Sequence, residues 1–174
     1  MSMCAALLHE IEREFAATRR MLASVPHDKL DFKPHEKSMS LGRLCGHCAE
    51  IVDWGSHIVK HDEIDFAAPE MGERGPGVAT DIDGLLADQD RHTAAFAEAL
   101  GGIDDAKLGD TYTMKRGDEV IMAMPKGIAL RSMVVNHIIH HRGQLSVYLR
   151  LLDVPLPQVY GPTADNPNFW SGDA

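Results

Sequence analysis

Residues 136–152, Asn-His-Ile-Ile-His-His-Arg-Gly-Gln-Leu-Ser-Val-Tyr-Leu-Arg-Leu-Leu, decide how the rest of the chain is read. His137 and His141 stand four apart, so on a helix they share one face about one turn apart. Leu130, Met133, Val134, Gln144 and Tyr148 fall on or near that face. The pair therefore turns toward a core and away from solvent. Pro125 and Gly127 lead into the stretch, and the pattern predicts one long helix over roughly 128–152. His140 lies slightly off the line, beside the pair or simply packed. Two imidazoles at this spacing can converge on one cation, but an open metal site usually takes three protein ligands.

A third ligand has to come from another helix. Ser38 or Ser40 can cap one running to about His61, with Leu41, Leu44, Ile51, Trp54 and Ile58 as its apolar stripe. His47 falls on that stripe and is expected to be buried, where an imidazole needs a polar partner or a ligand role. A lone histidine there is more often a satisfied core residue. The pair on another helix opens the ligand reading, because facing helices build metal sites in bundle cores. His57 and His61 repeat the spacing of four. His61, though, lies fourteen residues past His47, about 21 Å along an ideal helix, and beside Lys60 and Asp62 it reads as solvated surface. His9, His27, His35 and His92 have no such company. Cys45 and Cys48 sit about 100–160° round the same helix from His47 and read as small packed residues. A redox pair would want a helix N-terminus to lower its thiol pKa.

Further out, Leu7, Leu8, Ile11, Phe15, Leu22 and Val25 form a helical stripe over 4–25, closed by Pro26. Residues 27–37, around Pro34, read as an extended connection. Pro69, Gly72, Gly75, Pro76 and Gly77 mark 67–79 as a long crossover loop. A third helix starts near Asp81, carries Ile82, Leu85, Leu86, Phe96 and Leu100, and stops at Gly101-Gly102. Over 111–124 the period changes. Val120, Met122 and Met124 alternate after Arg116-Gly117-Asp118, which predicts a short β-hairpin before the last long helix. The expected fold is all-α: a four-helix bundle with that loop and hairpin, in one domain over 1–174.

Composition agrees and excludes some partners. The chain has 174 residues, 44% apolar and 25% charged, an ordinary globular balance. A net charge of −9 disfavours a nucleic-acid partner, which needs a basic surface. No apolar run is long enough to span a bilayer, and Met1 to Ala6 show no basic lead into an apolar stretch, so a cytoplasmic protein is expected. Three cysteines without such a leader argue against a disulfide framework.

Ser38-Met39-Ser40-Leu41-Gly42-Arg43-Leu44, followed by His47 and Glu50-Ile51, resembles the second-helix signature of DinB/YfiT-like proteins. His137 to Leu145, then Tyr148-Leu149-Arg150, resembles their last long helix, and Pro155-Leu156-Pro157 with Tyr160-Gly161-Pro162 resembles the segment after it. The resemblance implies a four-helix bundle, a divalent metal held by His47, His137 and His141, and frequent homodimers. Zinc or nickel suits such a site. The resemblance also implies a small-molecule substrate and, as in the family's S-transferases and maleylpyruvate isomerase, a low-molecular-weight thiol as cosubstrate. The family's DNA-damage name reflects regulation in some members, not DNA binding.

Three neutral imidazoles leave a bound metal its double positive charge, so a water or a thiol there would ionise near neutral pH. A thiol S-transferase and a hydrolase both fit, and a non-catalytic protein with a structural metal is the alternative. Glu50 reads either as a base or acceptor beside the site or as a helix-surface carboxylate. Gln144 and Tyr148 could orient a ligand or pack with satisfied polar tips. Val135, Ile138, Ile139, Leu145 and Leu149 spread over more of the last helix than one core requires, which favours a homodimer through helix faces.

Overall fold

A computed structural model describes residues 2–69 and 77–167. In chain order these form α1 (Met3–Ala23), α2 (Leu41–Lys60), β1 (Glu63–Asp65), α3 (Ile82–Gly101), β2 (Thr111–Arg116) and β3 (Glu119–Pro125). A last helix, α4, follows in three segments: Lys126–Ala129, Leu130–Val135 and Asn136–Leu151. The described chain is mostly helical, with four long helices and a small three-stranded sheet. None of its helices is long and apolar enough to cross a membrane.

The helix starts are set by side chains that accept the first free backbone N–H groups. Ser2 accepts from Ala5, Ser40 from Arg43, and Asp81 from Asp83 and Gly84. Of the two serines before α2, Ser40 is thus the cap. The backbone N–H of Ala79 donates to the Gly42 carbonyl at 2.9 Å, so α3 begins beside the start of α2. Farther along, α2 at Gly55 meets the ring of Phe96 on α3. The two helices therefore run in the same direction, and the connection between them must travel back along their length as a crossover. Its central part, 70–76, lies outside the described residues.

On the other side, α1 packs against α3 and α4 while making little contact with α2. Phe15 and Phe96 meet there with ring centroids 6.1 Å apart. The core formed between the helices includes Ile11, Phe15, Leu22, Leu44, Ile51, Phe96, Leu130 and Ile138, all nearly or wholly buried.

Three features differ from the sequence reading. β1 was not expected; it pairs parallel with β2, while β2 and β3 form the expected hairpin. Leu130–Val135 is a π-helical segment inside α4, and such wide turns often occur at functional sites. Finally, Val135, Ile138, Leu145 and Leu149 are fully buried within the chain and Ile139 packs on the same core. Because α4 lies against both α1 and α2, these five positions are used internally, while Ile128, Val147 and Leu151 of the same helix stay exposed. The five positions that suggested a homodimer therefore give no motive for one.

Candidate metal centre

α2 and α4 bring His47, His137 and His141 together. The ring centroids of His47 lie 5.1 Å from His137 and 4.5 Å from His141, and those of His137 and His141 are 4.6 Å apart. One ring nitrogen from each histidine lies within 4.8 Å of the other two. The indole of Trp54 stands 5.5 Å from both His47 and His137, so it walls one side of the cluster.

Hydrogen bonds assign the tautomers. His141 Nδ1 lies 2.8 Å from Gln144 Oε1, an oxygen that can only accept, so Nδ1 carries the proton and Nε2 keeps its lone pair. His47 Nδ1 lies 3.0 Å from Glu50 Oε2, with the same consequence. His137 hydrogen-bonds the backbone of Met133, a residue of the π-helical segment. Its Nε2 faces Nε2 of His141 at 2.9 Å. At that distance the two nitrogens can share one proton, or turn both lone pairs to one cation. Each ring is held from behind by an acceptor, the usual way a protein aims imidazoles at a metal. The donor set therefore fits a divalent ion of the zinc or nickel kind.

Burial favours the neutral form of His137 and His141. It lowers the pKa of His141 to about 4 and pulls that of His137 down as well, with nearby histidines adding to both shifts. Metal binding needs the neutral ring.

His141 is buried, but His47 is only partly so, its side chain 13% exposed, where full burial was expected. The cluster sits at the edge of the core, where α4 exposes His140 and Gln144. Glu50 is no free surface carboxylate: besides His47 it takes Arg43 Nη1 at 3.2 Å and the N–H of Gly77. Tyr148 is placed elsewhere. Its hydroxyl donates to the Met39 carbonyl at 3.0 Å, and its ring meets Phe32 edge-on. Cys45 and Cys48 are fully buried, and burial pushes both thiols well up, that of Cys45 to about 12. Neither supplies a thiolate.

His61 lies on the surface as expected, whereas His57 is drawn under the sheet. The latter is half-buried, and its Nδ1 lies 3.0 Å from the hydroxyl of Tyr112 on β2, because the sheet covers that end of α2. His61 is exposed, its ring 4.5 Å from that of His57. His27, Asp81 and Asp83 also approach one another. All three are exposed, and Asp81 already caps α3.

A cleft of about 1060 Å³ lies beside the histidines rather than over them. Glu50, Trp54 and Met133 belong to its wall and also touch the histidine cluster, while Ile58, Tyr112 and Met114 continue the lining as mostly apolar surface. Sequence reasoning did not find Arg43, the Met133 backbone or Trp54 as neighbours of the site. Helical spacing offered a signal for each: Trp54 lies seven residues past His47, Arg43 four before it, and Met133 four before His137.

With the geometry in hand, known proteins agree with the resemblance. The DinB family profile matches residues 1–170, and the chain belongs to the DinB family. An uncharacterized protein of Bacillus subtilis strain 168, YrdA, is 27% identical over 154 residues, covering 88% of this chain and 86% of that one. Two crystal structures share the fold. A DinB-like protein from Bacillus cereus ATCC 10987 has a TM-score of 0.67 and 24% identity, with 88% of this chain and 95% of that chain covered. A DinB-like protein from Bacillus subtilis, YjoA, has a TM-score of 0.68 and 20% identity, covering 88% and 97%.

Proposed function

We propose that this DinB family chain is a divalent-metal-dependent enzyme acting on a small molecule by thiol S-transfer or related nucleophilic chemistry. His47, His137 and His141 are its metal ligands. On this reading the four helices are one four-helix-bundle domain of DinB type over 1–174. The observation that carries the proposal is the convergence of three ring nitrogens within 4.8 Å of one another, with Nδ1 of His47 and of His141 already committed to Glu50 and Gln144. Among the described residues no Cys, Asp or Glu joins the three histidines as a fourth donor. That favours an open coordination position over a closed structural site.

A zinc or nickel ion bound there supplies Lewis acidity, which turns a thiol or a water into a nucleophile at neutral pH. The chain's own residues do the rest. Glu50, Met133 and Gln144 fix the three rings in their metal-binding tautomers. Glu50 is an orienting group here and not a general base, because both its oxygens are occupied. Trp54, which touches both the histidines and the cleft, places a substrate bound in the cleft beside the metal.

The test pairs metal analysis with turnover. Wild-type protein loaded with zinc or nickel should hold one ion per chain by elemental analysis. It should convert at least one member of a panel of thiols and electrophiles in a metal-dependent way. His141→Ala should stay folded by circular dichroism, because apolar burial carries the fold. Its zinc affinity should fall by more than about a hundredfold, the upper end for losing a mere supporting partner. Stoichiometric zinc in the variant would refute the ligand assignment. A loaded wild type inert toward every thiol and hydrolytic substrate would refute the enzyme.

A further inference from the structure

We propose that Arg43 is a positioning residue of the metal centre: it fixes Glu50, and through Glu50 the ring of His47, by binding the Gly77 end of the crossover connection at the same time. The inference rests on His47 being a ligand and extends that reading to residues that never reach the metal.

The geometry is a closed loop of hydrogen bonds. Arg43 and Glu50 lie seven residues apart on α2, two turns along one face. Arg43 Nη1 carries two hydrogens, and two acceptors lie within reach: Glu50 Oε2 at 3.2 Å and the Gly77 carbonyl at 3.1 Å. The N–H of Gly77 donates to the other oxygen of the same carboxylate, Glu50 Oε1. Glu50 Oε2 is left to accept from His47 Nδ1 at 3.0 Å. Both carboxylate oxygens and both backbone groups of Gly77 are thereby used, and the carboxylate cannot rotate without breaking a bond. The Arg43 and Glu50 side chains are only 22% and 29% exposed, so their attraction is less screened than that of a surface pair.

The absence of side chains at two glycines is an independent observation of the same arrangement. A Cβ on Gly77 would stand 2.5 Å from Glu50 Oε1, and one on Gly46 would collide with the Gly77 carbonyl oxygen. Glycine at 46 lets the backbone of Gly77 come this close to α2, and a side chain at 77 would push the Glu50 carboxylate aside. Arg43 is positioned to act on the metal only through Glu50. Removing it should leave the three ligands in place but free the group that aims one of them. Supporting partners of this kind are worth about tenfold to a hundredfold in metal affinity.

Zinc affinity, measured by competition with a chromophoric chelator, tests this on the whole protein. Arg43→Met should bind zinc about tenfold more weakly, and Arg43→Lys should recover most of the loss, since an ammonium can donate to both acceptors. Gly77→Ala, with Arg43 intact, should weaken binding in the same way by displacing Glu50. In a Glu50→Gln background, Arg43→Met should cost nothing further, because the two residues act as one unit. The absorption spectrum of the cobalt-substituted protein should shift in both single variants, a change that a general loss of stability would not produce. Circular dichroism and melting establish that each variant is folded, and Gly77→Ala stands in if Arg43→Met is not. Unchanged zinc affinity in folded Arg43→Met, or full additivity with Glu50→Gln, overturns the proposal alone. A wild type that binds no zinc overturns the metal reading along with it.

Discussion

His141 and Arg142 are neighbours in the chain and both are buried, yet they belong to opposite kinds of polar cluster. Arg142 sits in a closed network. Its guanidinium donates to the Glu14 carboxylate at 2.6 Å, the Glu14 carbonyl at 2.9 Å, Thr18 Oγ1 at 3.4 Å and the Tyr160 hydroxyl at 2.6 Å. That hydroxyl donates in turn to Glu14 Oε2 at 2.6 Å, and the Tyr160 ring lies 5.1 Å from the guanidinium carbon. Every charge has its partner, and the result ties the tail to α1 and α4. Around His141 the balance is reversed: Nδ1 of His47 and of His141 is spent on an outer acceptor, and three ring nitrogens are left to converge on one another. Burial of a polar group is therefore no mark of function by itself. The mark is a surplus of acceptors with nothing in the protein to fill it.

The largest effect that sharpens this contrast is expected on the closed side. Arg142→Met strands the Glu14 carboxylate in the core, and breaking a buried ion pair from one side costs about 3–5 kcal/mol. Urea unfolding of the metal-free protein should show that loss, while the folded variant keeps wild-type zinc affinity. If affinity falls along with stability, the two clusters are one system and the contrast fails.

A smaller effect is expected on the open side, from pH. The folded pKa of His141 is lowered to about 4 from 6.5, so as pH falls the unfolded chain binds its proton first. The metal-free protein should keep this contribution above about pH 6.5 and lose it progressively down to about pH 4, by about 2–3 kcal/mol in all. Urea midpoints between pH 7 and 4.5 should fall more steeply for the wild type than for His141→Gln. Parallel slopes would mean that His141 is not held neutral by burial.

Local signals made much of this legible in the sequence. Asp81 announces its helix by capping chemistry, and the stripes that carry His47 and the His137–His141 pair follow from a period of 3.6. What was not legible depends on partners distant in the chain. Glu63–Asp65 is too short for a strand pattern and exists because β2 lies beside it. The π-helical turn leaves no trace in the apolar pattern of α4, though it supplies the Met133 contact to His137. Arg43 and Gly77 are brought together across the crossover connection. Val135 and Leu149 looked like surplus apolar surface only because a helix read alone does not show that it has two neighbours.

The smallest effect tests where the boundary between the two regions falls. By helical period Tyr148 shares the face of His137 and His141, and sequence alone makes it a candidate for the site. In the structure its hydroxyl donates to the Met39 carbonyl at 3.0 Å, and its ring, 8% exposed, packs edge-on against Phe32. Two further turns of α4 have carried it past the histidines to the segment leading into α2. Tyr148→Phe keeps the ring and removes one neutral hydrogen bond, which should cost about 1 kcal/mol of unfolding free energy. Zinc affinity and the cobalt spectrum should not change, because no ligand and no partner of a ligand has been touched. A variant of wild-type stability with weakened zinc binding or slowed turnover would move Tyr148 into the open cluster. The site would then reach along α4 well beyond the three imidazoles.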